Sequence, residues 1–179
     1  MRITAGIYGG RQYIAPNTVK THPMSDKMKG AIFNALGDLS DLKVLDAFAG
    51  SGGLGYEALS RGADYVVLVD YDRQAQKCIV TNIDSLKIGD KAKVISADIG
   101  SWLKTSSEQF DVILADPPYD SIKLNLISAL AERLNPGGIF VLSYPGKQTP
   151  PTIDNFKIIS NKNYRDSQLI FYINKVNVN

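Results

Sequence analysis

The chain has 179 residues, of which 44% are apolar, and a net charge of +2. This length suits one compact domain with a small appendage and is too short for two full domains. No apolar run approaches the roughly 20 residues that span a bilayer, and no signal-peptide block follows Arg2, so we expect a cytoplasmic protein without a membrane partner. The single cysteine, Cys78, and the single histidine, His22, exclude an internal disulfide and predict that no metal is bound.

Positive charge is concentrated near the start of the chain. Residues 1–36 hold five basic side chains against Asp26 alone, a local balance of +4, whereas the other 143 residues carry −2. A basic arm on a near-neutral body favours a polyanionic partner such as nucleic acid. The candidate phosphate contacts are Arg2, Arg11, Lys20, Lys27 and Lys29. A solvated surface charge is the alternative for each of them.

The first 40 residues are predicted to form an extension made of a hairpin and a helix. Residues 2–8 and 11–15 are predicted as two short strands joined at Gly9-Gly10. Ser25 is placed to cap a helix that runs to Leu36. The predicted apolar face of this helix consists of Met28, Ile32, Ala35 and Leu36.

From Lys43 onward, apolar strands alternate with amphipathic helices, which is typical of βαβ units and a parallel sheet. Residues 41–179 are therefore predicted as one α/β domain. The predicted strands are 44–48, 65–69, 92–96, 110–115, 138–143, 156–160 and 168–173. The predicted helices are 53–61, 72–86, 98–105 and 121–134, with Asp72 and Ser121 as N-caps. The last two strands have no helix between them, which predicts an antiparallel hairpin at the sheet edge and favours a methyltransferase over a dehydrogenase.

A glycine cluster lies where the first strand of this domain passes into a helix. Gly50, Gly52 and Gly55 fit the dinucleotide pattern, in which glycines let the backbone turn sharply and approach a ligand. Asp70 ends the next strand and can accept the hydrogen bonds of a ribose diol, in NAD or in S-adenosylmethionine alike. The glycines therefore leave both cofactors open.

Asp46 favours S-adenosylmethionine. A carboxylate beside the glycine loop repels a pyrophosphate and attracts the α-ammonium of a methionine moiety. The alternative for Asp46 is a loop or helix cap. Asp98, after the third strand, is placed either to contact the adenine amino group or to cap the following helix, and the two interpretations have equal weight.

The segment 110–119 carries the pattern expected of a catalytic loop: an apolar strand followed by Asp116, Pro117, Pro118 and Tyr119. Ligands of open α/β sheets bind beyond the carboxyl ends of the strands. A base amino group is a poor nucleophile, and two acceptors, the Asp116 carboxylate and the Pro117 carbonyl, can orient it for methylation. The prolines restrict the loop, and Tyr119 offers a face for a flipped-out base. The alternative is a stiff turn.

With these motifs, the chain resembles the class I amino-methyltransferases, with 46–55 similar to their motif I and 116–119 to their motif IV. Motif IV alone also fits adenine-N6 and glutamine-N5 methyltransferases. More narrowly, the whole chain is similar to the bacterial 16S rRNA guanine-N2 methyltransferases. The segments that carry this similarity are 1–6, 10–11, 25–36, 45–63 and 116–119.

The resemblance implies a Rossmann-like sheet of seven strands with the last strand antiparallel, and S-adenosylmethionine as the methyl donor. It further implies a guanine of 16S ribosomal RNA as substrate, within the 30S subunit or an assembly intermediate, and a monomeric enzyme. The implied cofactor contacts are Asp46, Phe48, Ala49, Gly50, Ser51, Gly52, Asp70, Tyr71, Asp98 and Ile99. The residues implied to hold the guanine are Asp116, Pro117, Pro118 and Tyr119.

The chain departs from the pattern of this family at several positions. The family usually has Arg-Pro-Thr at 22–24 and a glutamate at Gly30; these changes fall in the extension and bear on RNA binding. It also usually has a glutamate at Asp70 and a glycine at Arg165. The alternative functions are a DNA adenine-N6 methyltransferase, an NAD-dependent oxidoreductase and a non-catalytic RNA-binding assembly factor.

Overall fold

The fold was obtained as a computed structural model that describes residues 1–16 and 24–175. The strands are β1 (Lys43–Asp46), β2 (Tyr65–Asp70), β3 (Ala92–Ser96), β4 (Phe110–Ala115), β5 (Leu134–Pro145), β6 (Phe156–Tyr164) and β7 (Ser167–Asn174). The helices are α1 (Asp26–Leu36), α2 (Gly53–Ser60), α3 (Arg73–Leu86), α4 (Ile99–Thr105) and α5 (Leu124–Ala131). Among these described residues, no helix is long and apolar enough to cross a bilayer.

The seven strands form one mixed sheet in the order β3-β2-β1-β4-β5-β7-β6. The first five strands are parallel, and β7 pairs antiparallel with both β5 and β6. The predicted fold class, with its antiparallel last strand, is confirmed. The chain runs outward from β1 to β3 and returns to β4 on the other side of β1, so the strand order reverses between β1 and β4. Ligand crevices of open α/β sheets lie at such switch points.

The central strands are buried on both faces, which explains their continuous apolar sequence. Val44 faces a core that contains side chains of α1, α2 and α3, whereas its neighbour Leu45 faces a second core built with α4 and α5. The same alternation continues in β2 and β4 because successive side chains of a strand point to opposite faces. The sheet is therefore covered on both sides, and its functional surface is the end of the strands.

The N-terminal extension differs from the predicted hairpin. Instead of two strands at 2–8 and 11–15, only residues 1–3 and 11–13 pair, through the bridge between Arg2 and Gln12 and the flanking backbone hydrogen bonds, and residues 5–10 form turns. The reason is that helix α2 takes backbone donors from the second half of the first predicted strand. The Ile7 and Tyr8 amides both bond to Ser60, at 2.8 and 2.9 Å. A Cβ on Gly6 would lie 1.8 Å from the Ser60 carbonyl oxygen, so only glycine fits there.

The predicted helix 121–134 is also shorter in the structure. Residues Tyr119–Ser121 form a 3-10 turn, and α5 begins only at Leu124, after the extended residue Lys123, so Ser121 is not its N-cap. At the other end, Leu134 already belongs to β5 and pairs with Phe110 of β4. Sheet pairing overrides the helical pattern at this position. Asp72 does cap α3, through bonds from the Gln74 and Ala75 amides.

Glu57 of α2 fastens the extension to the domain. Its side chain is fully buried and accepts the backbone N–H groups of Thr4 and Ala5 at 2.7 and 3.2 Å. It also accepts the Thr4 hydroxyl and pairs with Arg61 at 2.8 Å. A buried carboxylate is stable only when its hydrogen-bonding capacity is used in this way. The extension supplies most of that compensation.

Replacing Glu57 by alanine is expected to destabilise the protein strongly. The change leaves two partly buried backbone donors and the Arg61 guanidinium without their partner, which costs about 3 kcal/mol or more of unfolding free energy. Urea unfolding followed by circular dichroism measures the loss. Glu108→Ala serves as the control, because Glu108 forms partly exposed ion pairs with Lys43 and Lys93 and its loss costs about 1 kcal/mol or less. Similar losses in the two variants would contradict this account of Glu57.

Candidate functional site

The glycine loop between β1 and α2 is shaped by contacts that exclude side chains. Gly52 is the N-cap of α2 with a φ of 84°, and a Cβ there would lie 2.3 Å from the Tyr56 ring. A Cβ on Gly55 would lie 2.8 Å from Leu68, so this glycine lets α2 pack closely on β2. Gly50 also has a positive φ, of 54°. The loop therefore exposes its backbone towards the carboxyl ends of the strands, as a ligand cradle requires.

Asp46, the last residue of β1, is a buried carboxylate that is only partly compensated. Its Oδ2 accepts the Gly55 amide at 3.0 Å, which gives it the capping role considered from the sequence. Within the described part of the chain, its Oδ1 has no hydrogen-bond partner. Burial raises the pKa of Asp46 to about 7, and the nearby carboxylates of Asp116 and Asp70 add to the increase against the lowering by Gly55. The free oxygen suits a cationic ligand group.

Asp70 and Asp98 are both tied to the backbone of their own loops. Asp70 accepts the Gly50 amide at 2.7 Å and the Asp72 amide at 2.8 Å, which holds the glycine loop against the end of β2. Asp98 caps α4 by accepting the Ser101 amide at 2.9 Å. The capping interpretation of Asp98 is confirmed, and its contact with an adenine stays a prediction. Of their neighbours, Tyr71 is exposed and Ile99 is buried in the core beneath α4.

The segment after β4 carries a chain of hydroxyl groups that ends at Asp116. The Tyr119 hydroxyl lies 2.7 Å from Ser143 Oγ on β5, and the Ser143 hydroxyl bonds to Asp116. Since the carboxylate can only accept, Ser143 donates to Asp116 and Tyr119 donates to Ser143. Burial raises the pKa of Asp116, and the Ser143 hydrogen bond opposes that increase. Ser143 was not predicted as a site residue from the sequence, because β5 carries no motif.

The glycine loop and the Asp116 loop face one cavity of about 770 Å³. Ten sequence-predicted candidates line it: Asp46, Phe48, Ala49, Gly50, Ser51, Asp116, Pro117, Pro118, Tyr119 and Lys29. The other described candidates, Gly52, Asp70, Tyr71, Asp98, Ile99, Arg2, Arg11 and Lys27, are not part of its wall. The extension and the β6–β7 turn complete the wall with Met1, Tyr13, Met24, Met28, Asp166 and Ser167, among others. These residues were missed because they come from distant elements without a sequence motif.

The predicted phosphate contacts differ in availability. Arg2 is exposed and pairs with Asp26 at 3.3 Å, and the exposed Lys27 lies over the Tyr164 ring. The Arg11 guanidinium donates to the Leu86 and Ser85 carbonyls at 2.9 and 3.1 Å and so anchors the extension to α3. Lys20, like His22 and Pro23, lies outside the described residues.

The predicted role of Lys29 as a phosphate contact needs correcting, because this lysine is not on the surface. The buried face of α1 consists of Lys29, Ile32 and Phe33, whereas the predicted face member Ala35 is exposed. The Lys29 side chain is only 4% exposed, and its ammonium is held by the Asp26 carboxylate at 3.0 Å and the Arg2 carbonyl at 3.1 Å. An ammonium committed in this way inside the protein is not a free phosphate contact.

Comparison with known proteins places the chain among similar sequences along nearly its whole length. A family model described as conserved hypothetical protein 95 matches residues 1–173. A proposed rRNA methyltransferase of Bacillus subtilis, YlbH, is 33% identical over 172 residues, covering 92% of this chain and 94% of that protein. Ribosomal RNA small subunit methyltransferase D of Haemophilus influenzae is 32% identical, covering 90% and 88%. The solved structure of a proposed methyltransferase of Escherichia coli, yhhF, is 27% identical, with a TM-score of 0.89 over 98% of both chains.

Replacing Asp46 by asparagine is expected to stabilise the ligand-free protein at pH 8. Because the pKa of Asp46 is raised to about 7 in the fold, its carboxylate weakens the folded state increasingly as the pH rises from about 4 to 7. Removing that charge should add about 1 to 3 kcal/mol to the unfolding free energy at pH 8. Urea unfolding at pH 8 and pH 5 tests this, since the gain should shrink at the lower pH. A variant less stable than the parent at pH 8 would contradict the assignment.

Proposed function

Because the chain belongs to the family described as conserved hypothetical protein 95, we propose that it transfers a methyl group from S-adenosylmethionine to the exocyclic amino group of a guanine in 16S ribosomal RNA. One observation carries this proposal: the partly compensated Asp46 carboxylate and the Asp116–Ser143–Tyr119 chain face the same cavity. The first suits the cationic end of the donor, and the second suits the amino group of a base.

The residues around the glycine loop fit S-adenosylmethionine. The Oδ1 of Asp46, which has no hydrogen-bond partner in residues 1–16 and 24–175, is an acceptor for an ammonium group and repels a pyrophosphate, which distinguishes this donor from NAD. The glycine backbone leaves room for close approach, and Asp70 retains lone pairs for a ribose. When bound, S-adenosylmethionine supplies an electrophilic methyl group on a sulfonium. The remaining proposed contacts are Phe48, Ala49, Gly50, Ser51, Gly52, Tyr71, Asp98 and Ile99.

The Asp116 loop fits the acceptor base. The Asp116 carboxylate and the Pro117 carbonyl are two acceptors that can orient an amino group whose lone pair is delocalised into the ring. Ser143 fixes the tip of Tyr119 by its hydroxyl while 37% of this residue stays exposed, so the ring offers a stacking face. A loop held before the substrate arrives lowers the ordering cost of reaction.

The extension is the proposed RNA-contacting element. Residues 1–40 include the exposed cations Arg2 and Lys27, and Arg11 lies at the junction with α3. We assign these three to phosphate contacts, with 16S ribosomal RNA in the 30S subunit or an assembly intermediate as the partner. The relatives named for small-subunit rRNA favour this substrate over DNA adenine. We further propose that the enzyme acts as a monomer in the cytoplasm, where ribosomal subunits are assembled.

Asp116→Ala is expected to abolish methyl transfer while leaving donor binding intact. The assay incubates the protein with labelled S-adenosylmethionine and 30S subunits from a strain that lacks the enzyme, and nucleoside mass spectrometry identifies N2-methylguanosine. Loss of the orienting acceptor should lower kcat by about a hundredfold or more. The exposed Asp154→Ala is the control and should keep full activity. N6-methyladenosine as product, or full activity of Asp116→Ala, would contradict the proposal, and an inactive parent chain would favour an assembly factor.

Ser143→Ala is expected to reduce kcat by about tenfold and to move the acidic limb of its pH profile upward. The Ser143 hydrogen bond lowers the pKa of Asp116, so its loss raises that pKa, and a higher pH is then needed for the carboxylate form. Tyr119→Phe is the matched control, because it removes the neighbouring hydroxyl but leaves the Ser143–Asp116 bond in place. Its acidic limb should stay where it is. Equal shifts in both variants would show that Ser143 does not act through Asp116.

A further inference from the structure

Lys29 and Tyr13 form a buried polar pair in the wall of the cavity. Both belong to the extension, and both side chains are almost fully buried. The Lys29 ammonium lies 3.4 Å from the Tyr13 hydroxyl and 5.8 Å from the centre of its ring. The ammonium's other partners are Asp26, whose carboxylate is half-exposed, and the Arg2 carbonyl. Neither the sequence motifs nor the proposed chemistry uses this pair.

Within the part of the chain that the structure describes, this pair leaves the Tyr13 hydroxyl proton available to a ligand. An ammonium can only donate, so the Tyr13 oxygen accepts from Lys29 and keeps its own proton for another partner. Burial raises the pKa of Tyr13, so the phenol stays protonated at neutral pH. The ring is held edge-on against Tyr56, with the ring centres 5.3 Å apart. The donor is therefore fixed in position before any ligand binds.

The Tyr13 hydroxyl lies close to the end of the glycine loop. A Cβ built on Gly53 would lie 2.5 Å from the Tyr13 hydroxyl oxygen and 3.7 Å from Ser51 Oγ. The same cavity is lined by Asp46, whose Oδ1 lacks a hydrogen-bond partner among the described residues. The wall thus offers a negatively charged acceptor, Asp46, and, beside the glycine loop that follows it, the Tyr13 hydroxyl as a donor supported by a buried cation. An α-amino acid group carries the complementary pair of charges.

We infer that Tyr13, supported by Lys29, binds the α-carboxylate of the donor's methionine moiety, while Asp46 binds its ammonium. This inference rests on the proposed function, because it concerns the same cofactor. Tyr13 is then a binding residue and Lys29 a positioning residue that acts through it. The extension contributes directly to the cofactor site, in addition to its proposed contact with RNA.

Calorimetry with two ligands tests the inference without any turnover. S-adenosylhomocysteine carries the carboxylate, and its decarboxylated analogue keeps the amine but lacks that group. We expect Tyr13→Phe to bind S-adenosylhomocysteine about tenfold more weakly than the parent protein, and the decarboxylated analogue within about twofold of the parent. The parent itself should prefer S-adenosylhomocysteine over the analogue by a similar factor. Tyr8→Phe, in the same extension but outside the cavity wall, should behave as the parent.

Each other outcome overturns the inference in a distinguishable way. Equal losses for both ligands would show that Tyr13 only packs against Tyr56. Unchanged affinity for S-adenosylhomocysteine with a raised KM for 30S subunits would show that the hydroxyl binds an RNA phosphate instead. If the parent does not bind S-adenosylhomocysteine at all, the proposed function fails as well. If Tyr13→Phe does not fold, the relative affinity of the parent protein for the two ligands still tests the inference. Equal affinity for both ligands would refute it.

Discussion

The arrangement of this protein depends on one buried carboxylate, that of Glu57, which ties the N-terminal extension to the helix that follows the glycine loop. It collects the Thr4 and Ala5 amides on one side and Arg61 on the other. A single side chain can do this because a carboxylate offers about four acceptor sites and is costly to bury with any of them unused. This anchoring also affects Tyr13, further along the extension. Once the first residues are fixed on α2, Tyr13 follows as part of the cavity wall. The extension is thus built into the site rather than appended to it.

The end of the sheet shows the opposite balance, since three carboxylates meet there and one of them, Asp46, has an oxygen with no hydrogen-bond partner among the described residues. Asp46 and Asp70 end β1 and β2, and Asp116 directly follows β4, the three strands on either side of the switch point. Parallel strands bring these residues to one edge, and their mutual repulsion together with burial raises the pKa of Asp46. A cationic ligand would stabilise such a site, because it supplies the missing charge and hydrogen bond at once.

The sequence predicted the parts of the fold that repeat a local rule. Short stretches of sequence determine the strands that are apolar on both faces and the helix caps Asp72 and Asp98. They also determine the glycines at positions where the backbone has no room for a Cβ. The features it could not predict are set by residues far apart in the chain. Lys29 looks like a solvated lysine on an amphipathic helix until Asp26 and the Arg2 carbonyl enclose it, and Ser143 is an ordinary strand serine until Tyr119 and Asp116 reach it. The predicted hairpin is shorter in the structure for the same reason, because Ser60 takes the Ile7 and Tyr8 amides.

If Tyr13 and Asp46 hold opposite ends of one amino acid group, cofactor binding and docking of the extension are linked. A ligand that contacts both the sheet and the extension stabilises the state in which the two are joined, and by reciprocity a well-docked extension binds the ligand more tightly. The same extension carries Arg2 and Lys27, the exposed cations proposed to contact phosphate. Loading the donor then favours the conformation that presents these cations to RNA, and RNA that grips the extension favours the loaded cavity. Mutual strengthening of the two binding events thereby follows from the shared wall.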